Sequence, residues 1–158
     1  MHTDCLFCRI AAGALPAHRL YEDDEILAFL DLHPIRPGHA LVIPKQHHVW
    51  FEDLPEPLAT RITGCAQRLA RAMKRLYRVE RVAMCYIGIH VPHAHAHVVP
   101  IHHMHDVSSG AYMAGGLDNF TPPPQLPASE MALIVNTLRA EMAGGGRVDC
   151  PPGMDQIR

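Results

Sequence analysis

Between His90 and His105 the chain reads HVPHAHAHVVPIHHMH, and seven of its 13 histidines fall in this one stretch. Three of them, His93, His95 and His97, are separated by single alanines. Near neutral pH an imidazole can ligate a metal, attack an electrophile such as phosphorus, or carry a proton to a leaving group. Side chains two apart on a strand share a face, roughly 7 Å from each other. The three rings are therefore expected to line one surface, with Ala94, Ala96 and Val98 turned toward a packed layer behind it. A solvated histidine face is the blandest account, but a strand does not need imidazole at three alternate positions. Pattern alone leaves metal ligation and nucleophilic catalysis both open.

A second group of reactive residues stands at the N-terminus, where Cys5 and Cys8 form a CxxC. That spacing is weak evidence by itself, because two thiolates leave a tetrahedral zinc two ligands short. The chain has five cysteines, an odd number, and MHTDCLFCRI lacks a basic segment followed by an apolar run. Thiols or a metal site are expected rather than a disulfide framework. Cys65 and Cys85 read as core thiols, and Cys150 as an unremarkable tail residue.

These residues need a scaffold. CLFCRIAAG predicts a short helix closed by glycine, followed by turn residues. EILAFLDL predicts a strand over Ile26–Leu32, HPIRPGH a rigid turn, and ALVIPK a second strand. Leu58, Ile62, Cys65, Leu69, Met73 and Leu76 recur at helical spacing and predict a long amphipathic helix. Arg68, Arg71, Lys74, Arg75 and Arg78 crowd its C-terminal half, where the helix dipole favours cations. RVAMCYIGI and His93–Ile101 predict a third and fourth strand. Residues 102–127 lack periodicity and are expected to form a long loop or insertion. Ser129–Met142 predicts a last helix with Ser129 as its cap, and 144–158 a flexible tail. The order implies an α+β fold with an antiparallel sheet, as a single domain over 1–143.

The chain has 158 residues, 48% of them apolar and 19% charged, with a formal charge of -2. That size supports a real core, and the charge gives no electrostatic case for nucleic acid or an anionic membrane. No apolar run is long enough for a membrane span, so a cytoplasmic protein is expected.

The sequence resembles the histidine-triad (HIT) superfamily. HAHAHVV fits its His-x-His-x-His-x-x signature, and CLFCRI, YEDDEILAFLDLHPIRPGHALVIPKQH, the helix and VPHAHAHVVP follow the family layout in order. The resemblance spans roughly Asp4–Ile101. It implies a small α+β homodimer that hydrolyses or transfers nucleotidyl groups at an α-phosphate. By that likeness His95 is the nucleophile, His97 assists at the phosphate, His93 supports by hydrogen bonding, and His47 is the family's fourth histidine. Asp31 resembles the acid that binds the ribose hydroxyls, as a carboxylate can accept from both; its bland role is to cap the turn after it. Phe7, Ile10 and Leu30 match positions lining the base pocket, which could equally be plain core. Relatives with the N-terminal CxxC bind zinc, and the likeness implies Cys5, Cys8, His47 and His93 as structural ligands.

Two departures from the family stand out. Gly88, Ile89, His90, Val91 and Pro92 replace the Gly-Gln-Ser/Thr-Val-aromatic run of many family enzymes. Ile89 cannot donate a hydrogen bond, while His90 stands where it could contact phosphate or protonate a leaving group; a bacterial Gly-x-Glu-Val-Pro-His version looks nearest. HHMHDVSSGAYMAGG looks like an insertion, and its His102, His103 and His105 fit an exposed histidine-rich loop. The expected ligand is a small nucleotide. Two other accounts fit the same residues: a metal-dependent hydrolase with the triad as ligands, and a non-catalytic nucleotide-binding protein.

Overall fold

The computed structural model describes residues 4–88, 90–107 and 122–144. Ile89, most of the expected loop, the tail beyond Gly144 and Cys150 lie outside them. The elements in order are α1 (Leu6–Ala11), β1 (Arg19–Glu22), β2 (Ile26–Leu30), β3 (Ala40–Pro44), a 3-10 turn (Phe51–Asp53), α2 (Glu56–Tyr77), β4 (Arg81–Cys85), β5 (Ala96–Ile101) and α3 (Ala128–Met142). The five strands form one antiparallel sheet in the order β1-β2-β3-β5-β4. This is the expected α+β architecture. No described helix is long and apolar enough to cross a membrane.

The alternation of strand side chains divides the interior in two. Ile26, Ala28 and Leu30 of β2, Ala40 and Val42 of β3, and Ala96 and Val98 of β5 pack with α2 and α3. Leu27 and Phe29, with Leu41 and Ile43, point to the other face and pack with Phe7 and Ile10 of α1. The alanines of the HAHAH run do what their size predicts. Ala94 and Ala96 let α2 lie close, and Ile62, Leu69 and Met73 are fully buried there. Burying each such side chain contributes about 1.5–3 kcal/mol. The histidine side of β5 is left to the smaller layer under α1.

Several sequence expectations change in detail. Arg19–Glu22 is a strand, not a turn, and Arg19 reaches from it to the carbonyl of Ile10 at 2.9 Å. That bond satisfies an acceptor at the C-terminal end of α1 and fastens the helix to the sheet edge. The cap of α3 is Pro127, with no side-chain cap, so Ser129 lies one residue inside the helix. Arg75 is held by Glu141, through Nε to Oε2 at 2.5 Å, joining α2 to α3 rather than only answering the helix dipole. Arg68 lies over the Tyr21 ring, 4.9 Å from its centre.

Candidate active site

The strand carrying the triad starts late. Pro92 has no N–H to give to a ladder, and the His93 N–H instead bonds the Val91 carbonyl at 2.8 Å, a tight turn about Pro92. The Ala94 N–H bonds the His48 carbonyl at 2.7 Å. Only at Ala96 does regular pairing begin. The three rings still follow one another along one face, with Phe7 against His93 and His95 and His95 against His97, but each finds a different hydrogen-bond partner.

The His95 ring is 6% exposed, edge-on to Phe7 at 5.1 Å and tilted against His97 at 4.9 Å. Its Nδ1 donates to the His93 carbonyl at 2.6 Å. A carbonyl can only accept, so Nδ1 carries the proton and Nε2 keeps its lone pair. Burial pushes the His95 imidazole below its ordinary value, against smaller upward pulls from that hydrogen bond and from Asp31. The ring is thus neutral at pH 7, with Nε2 as a nucleophile. Gly88 lies against that nitrogen: a Cβ built on it would stand 1.9 Å from Nε2 and 2.3 Å from Cε1.

His97 meets a residue that the sequence reading passed over. The buried His39 places Nε2 2.9 Å from His97 Nδ1. The Ile35 N–H donates to His39 Nδ1 at 3.2 Å, so His39 carries its proton on Nε2 and donates it to His97. His97 must then carry its own proton on Nε2, a buried atom with no partner among the described residues. A buried donor left unpaired costs about 1–3 kcal/mol, and such exceptions in folded proteins call for a reason. A phosphoryl oxygen beside His95 would supply one.

Burial holds the His39 imidazole down to about 3 and that of His97 to about 4. Both take up protons near pH 6.5 once unfolded. Between those values the unfolded chain binds more protons, so stability rises with pH there. The stability tied to these two rings is complete above pH 6.5 and drains away as pH falls toward 4. Each ring is worth on the order of 1 kcal/mol per pH unit. The metal-free protein should therefore lose a few kcal/mol between pH 6.5 and pH 4.5, read from denaturant melts at each pH. A flat profile across that window would contradict the neutral His39–His97 pair. Asp31, raised by burial and only partly held down by the His33 N–H, opposes the trend at its acid end.

Asp31 sits just past β2 with its side chain 22% exposed. Its Oδ1 accepts the His33 N–H at 2.8 Å, the turn-capping role, and its Oδ2 is 3.7 Å from His39 Nδ1. Phe7 and Ile10 belong to the apolar layer under α1, and Phe7 packs against His95. Leu30 does not. It belongs to the core under α2, and Phe29, its neighbour of opposite parity, occupies the face with Phe7, rings 5.7 Å apart. His90 is exposed in the connection between β4 and β5.

His93 and His47 form a separate centre. Cys5 Sγ is 3.4 Å and Cys8 Sγ 3.5 Å from His93 Nδ1, and Cys8 Sγ is 3.3 Å from His47 Nδ1. The ligand atoms of these four residues all lie within 4.8 Å of one another. Atoms on a tetrahedral zinc with Cys2His2 ligation stand roughly 3.3–3.8 Å apart, so the group fits that ion. His93 Nε2 lies 2.9 Å from the Pro44 carbonyl, which fixes its proton on Nε2 and turns Nδ1 to the thiols. His47 thus stands with the cysteines, and the ring beside His97 is His39. The triad side chains diverge to the cysteine group, a backbone carbonyl and His39, which does not gather them round one ion.

The sequence pattern of the HIT domain matches residues 12–104, more than half of the chain. The chain belongs to the HIT family. It is 35% identical over 104 residues to an uncharacterized HIT-like protein of Borreliella burgdorferi, covering 61% of this chain and 75% of that one. It is 38% identical over 97 residues to the adenosine 5'-monophosphoramidase HNT1 of Saccharomyces cerevisiae, covering 61% of each. A crystal structure of a Zn-bound histidine triad family protein from Mycobacterium smegmatis superposes with a TM-score of 0.70 at 30% identity, over 89% of this chain and 94% of that one.

Proposed function

We propose that the protein is a nucleotide hydrolase or nucleotidyl transferase that acts at the α-phosphate of nucleoside monophosphate esters, amidates or dinucleoside polyphosphates. The observation that carries this is the tautomer of His95: Nδ1 donates to the His93 carbonyl, leaving a basic Nε2, on a ring whose centre is 4.9 Å from that of His97, whose Nε2–H has no partner among the described residues. In the first step the Nε2 lone pair attacks phosphorus. The N–P bond forms as the bond to the leaving oxygen or nitrogen breaks, and the leaving atom departs with that electron pair and takes a proton. Water then attacks phosphorus and loses a proton, and the N–P electrons return to Nε2. His97 Nε2–H donates to a phosphoryl oxygen as charge builds on it, and His39 holds His97 in the donating tautomer. Asp31 binds the ribose hydroxyls, Phe7, Ile10 and Phe29 receive the base, and His90 attends the leaving group. The amidase activity in the name of the yeast relative supports the reading. Steady-state assay with an adenosine phosphoramidate tests it: release of AMP and amine is expected, and tight mononucleotide binding with no release would contradict it.

Cys5, Cys8, His47 and His93 hold a structural zinc in this reading, as the donor set and the zinc-bound mycobacterial relative support. When bound, the ion supplies a cross-link between the α1 segment, the loop after β3 and the entrance to β5, and leaves His95 and His97 for phosphorus. Replacing Cys5 and Cys8 together by Ser should reduce zinc in tag-free protein from about one per chain to near zero by elemental analysis. Unchanged content would reject the site. The reading includes a homodimer, with β4 at the sheet edge and Met84 and Ile87 exposed beside it as the pairing surface.

A further inference from the structure

Beyond the triad, the chain after β5 folds back onto the turn that carries His39. Asp106 lies there, 6% exposed. Its Oδ1 accepts from Arg36 Nε at 3.1 Å and Nη2 at 2.8 Å. Its Oδ2 accepts the N–H groups of His102 at 2.7 Å and His103 at 2.9 Å. Burial alone would raise this carboxyl, but Arg36 and the two amides more than offset that and hold it below the ordinary carboxylate range. A buried carboxylate with four charge-assisted bonds is a rigid joint.

Arg36 is where the joint meets the site. Its carbonyl accepts the His39 N–H at 2.9 Å, and Gly38 has φ +90, so Arg36-Pro37-Gly38-His39 is a tight turn of the kind that needs glycine third. Its neighbour Ile35 gives the N–H that sets the His39 tautomer. The turn is braced from below as well. A Cβ on Gly38 would come within 2.6 Å of the Tyr77 ring, and the His102 ring lies 6.2 Å from the same tyrosine.

We propose that Asp106 is a positioning residue: by clamping Arg36 to the segment after β5, it holds the Ile35–His39 turn so that His39 stays aligned on His97. The consequence for rate rests on the function proposed above, in which His97 serves the phosphate. The positioning itself does not.

The test is Asp106→Asn in the full chain with its metal. Ring ¹⁵N shifts report which nitrogen of His39 and His97 is protonated, and rapid quench with an adenosine phosphoramidate reports the nucleotidylation rate. The expected result is a His39 tautomer that is mixed rather than fixed, a rate at least tenfold lower, and AMP affinity within twofold of the parent. Parental ring shifts in the variant, or a rate loss matched by an equal loss of AMP affinity, would overturn the proposal. If Asp106→Asn does not fold, Arg36→Lys keeps a cation opposite the carboxylate but loses the two-pronged contact. The same change in the His39 shifts is expected there, and unchanged shifts overturn the proposal. Should the parent protein form no nucleotidyl adduct, the proposed function fails, while the ring shifts still decide the role of Asp106.

Discussion

Changing His95 to Asn should lower turnover by more than about 10³-fold, the scale on which loss of a covalent nucleophile acts. Asparagine suits the test. Its amide can still donate to the His93 carbonyl as Nδ1 does at 2.6 Å, so the local fold is retained. It has no basic nitrogen to place at Nε2. Affinity for AMP should stay within tenfold of the parent, a difference of at most about 1.4 kcal/mol, because the proposed function gives the ribose, base and phosphate contacts to other residues. Turnover assays with titration calorimetry on the same preparation separate the two effects. Undiminished turnover would remove His95 from the reaction.

Changing Gly88 to Ala should also cost heavily, although it removes no reactive atom. The added methyl would lie 1.9 Å from His95 Nε2, about half of a van der Waals contact distance. Either the β4–β5 connection moves away or the imidazole rotates, and rotation breaks the Nδ1 bond that keeps Nε2 basic. A loss of about 10²-fold or more in the nucleotidylation step is expected, on the scale of a misplaced reacting group. The melting temperature should fall as well, because the His95 ring that must yield is 6% exposed and packed against Phe7 and His97. A parental rate in this variant would show that phosphorus approaches His95 from elsewhere.

Sequence patterns that repeat locally were readable. The apolar stripe from Leu58 to Leu76 became α2, and the alanines between the triad histidines turned to that helix as their size implied. The CxxC, His47 and His93 came together as the family resemblance implied. Features set by distant pairing were not readable. His39 reaches His97 only because β3 lies beside β5 with Leu41 opposite His97, which puts His39 on the same face one step along. A histidine two residues ahead of Leu41 was the available signal, and it needed the strand order to be used. Leu30 was assigned to the pocket where parity favours Phe29, since a one-residue error in a strand exchanges its faces. RLYE was too short and polar to announce β1, whose pairing with β2 makes it a strand. The triad rings do share one face, Phe7 lying against His93 and His95 and His95 against His97, but β5 starts at Ala96 rather than His93 because the backbone turns at Pro92.

All of the chemistry assigned here requires one bond, between His95 and a substrate phosphorus. Rapid-quench intact-mass analysis of the protein mixed with an adenosine phosphoramidate, followed by peptide mapping, measures it directly. The account predicts one transient AMP adduct per chain, carried on His95 and absent from His95→Asn. Steady release of AMP with no adduct at any quench time, or an adduct mapped to another residue, would contradict it.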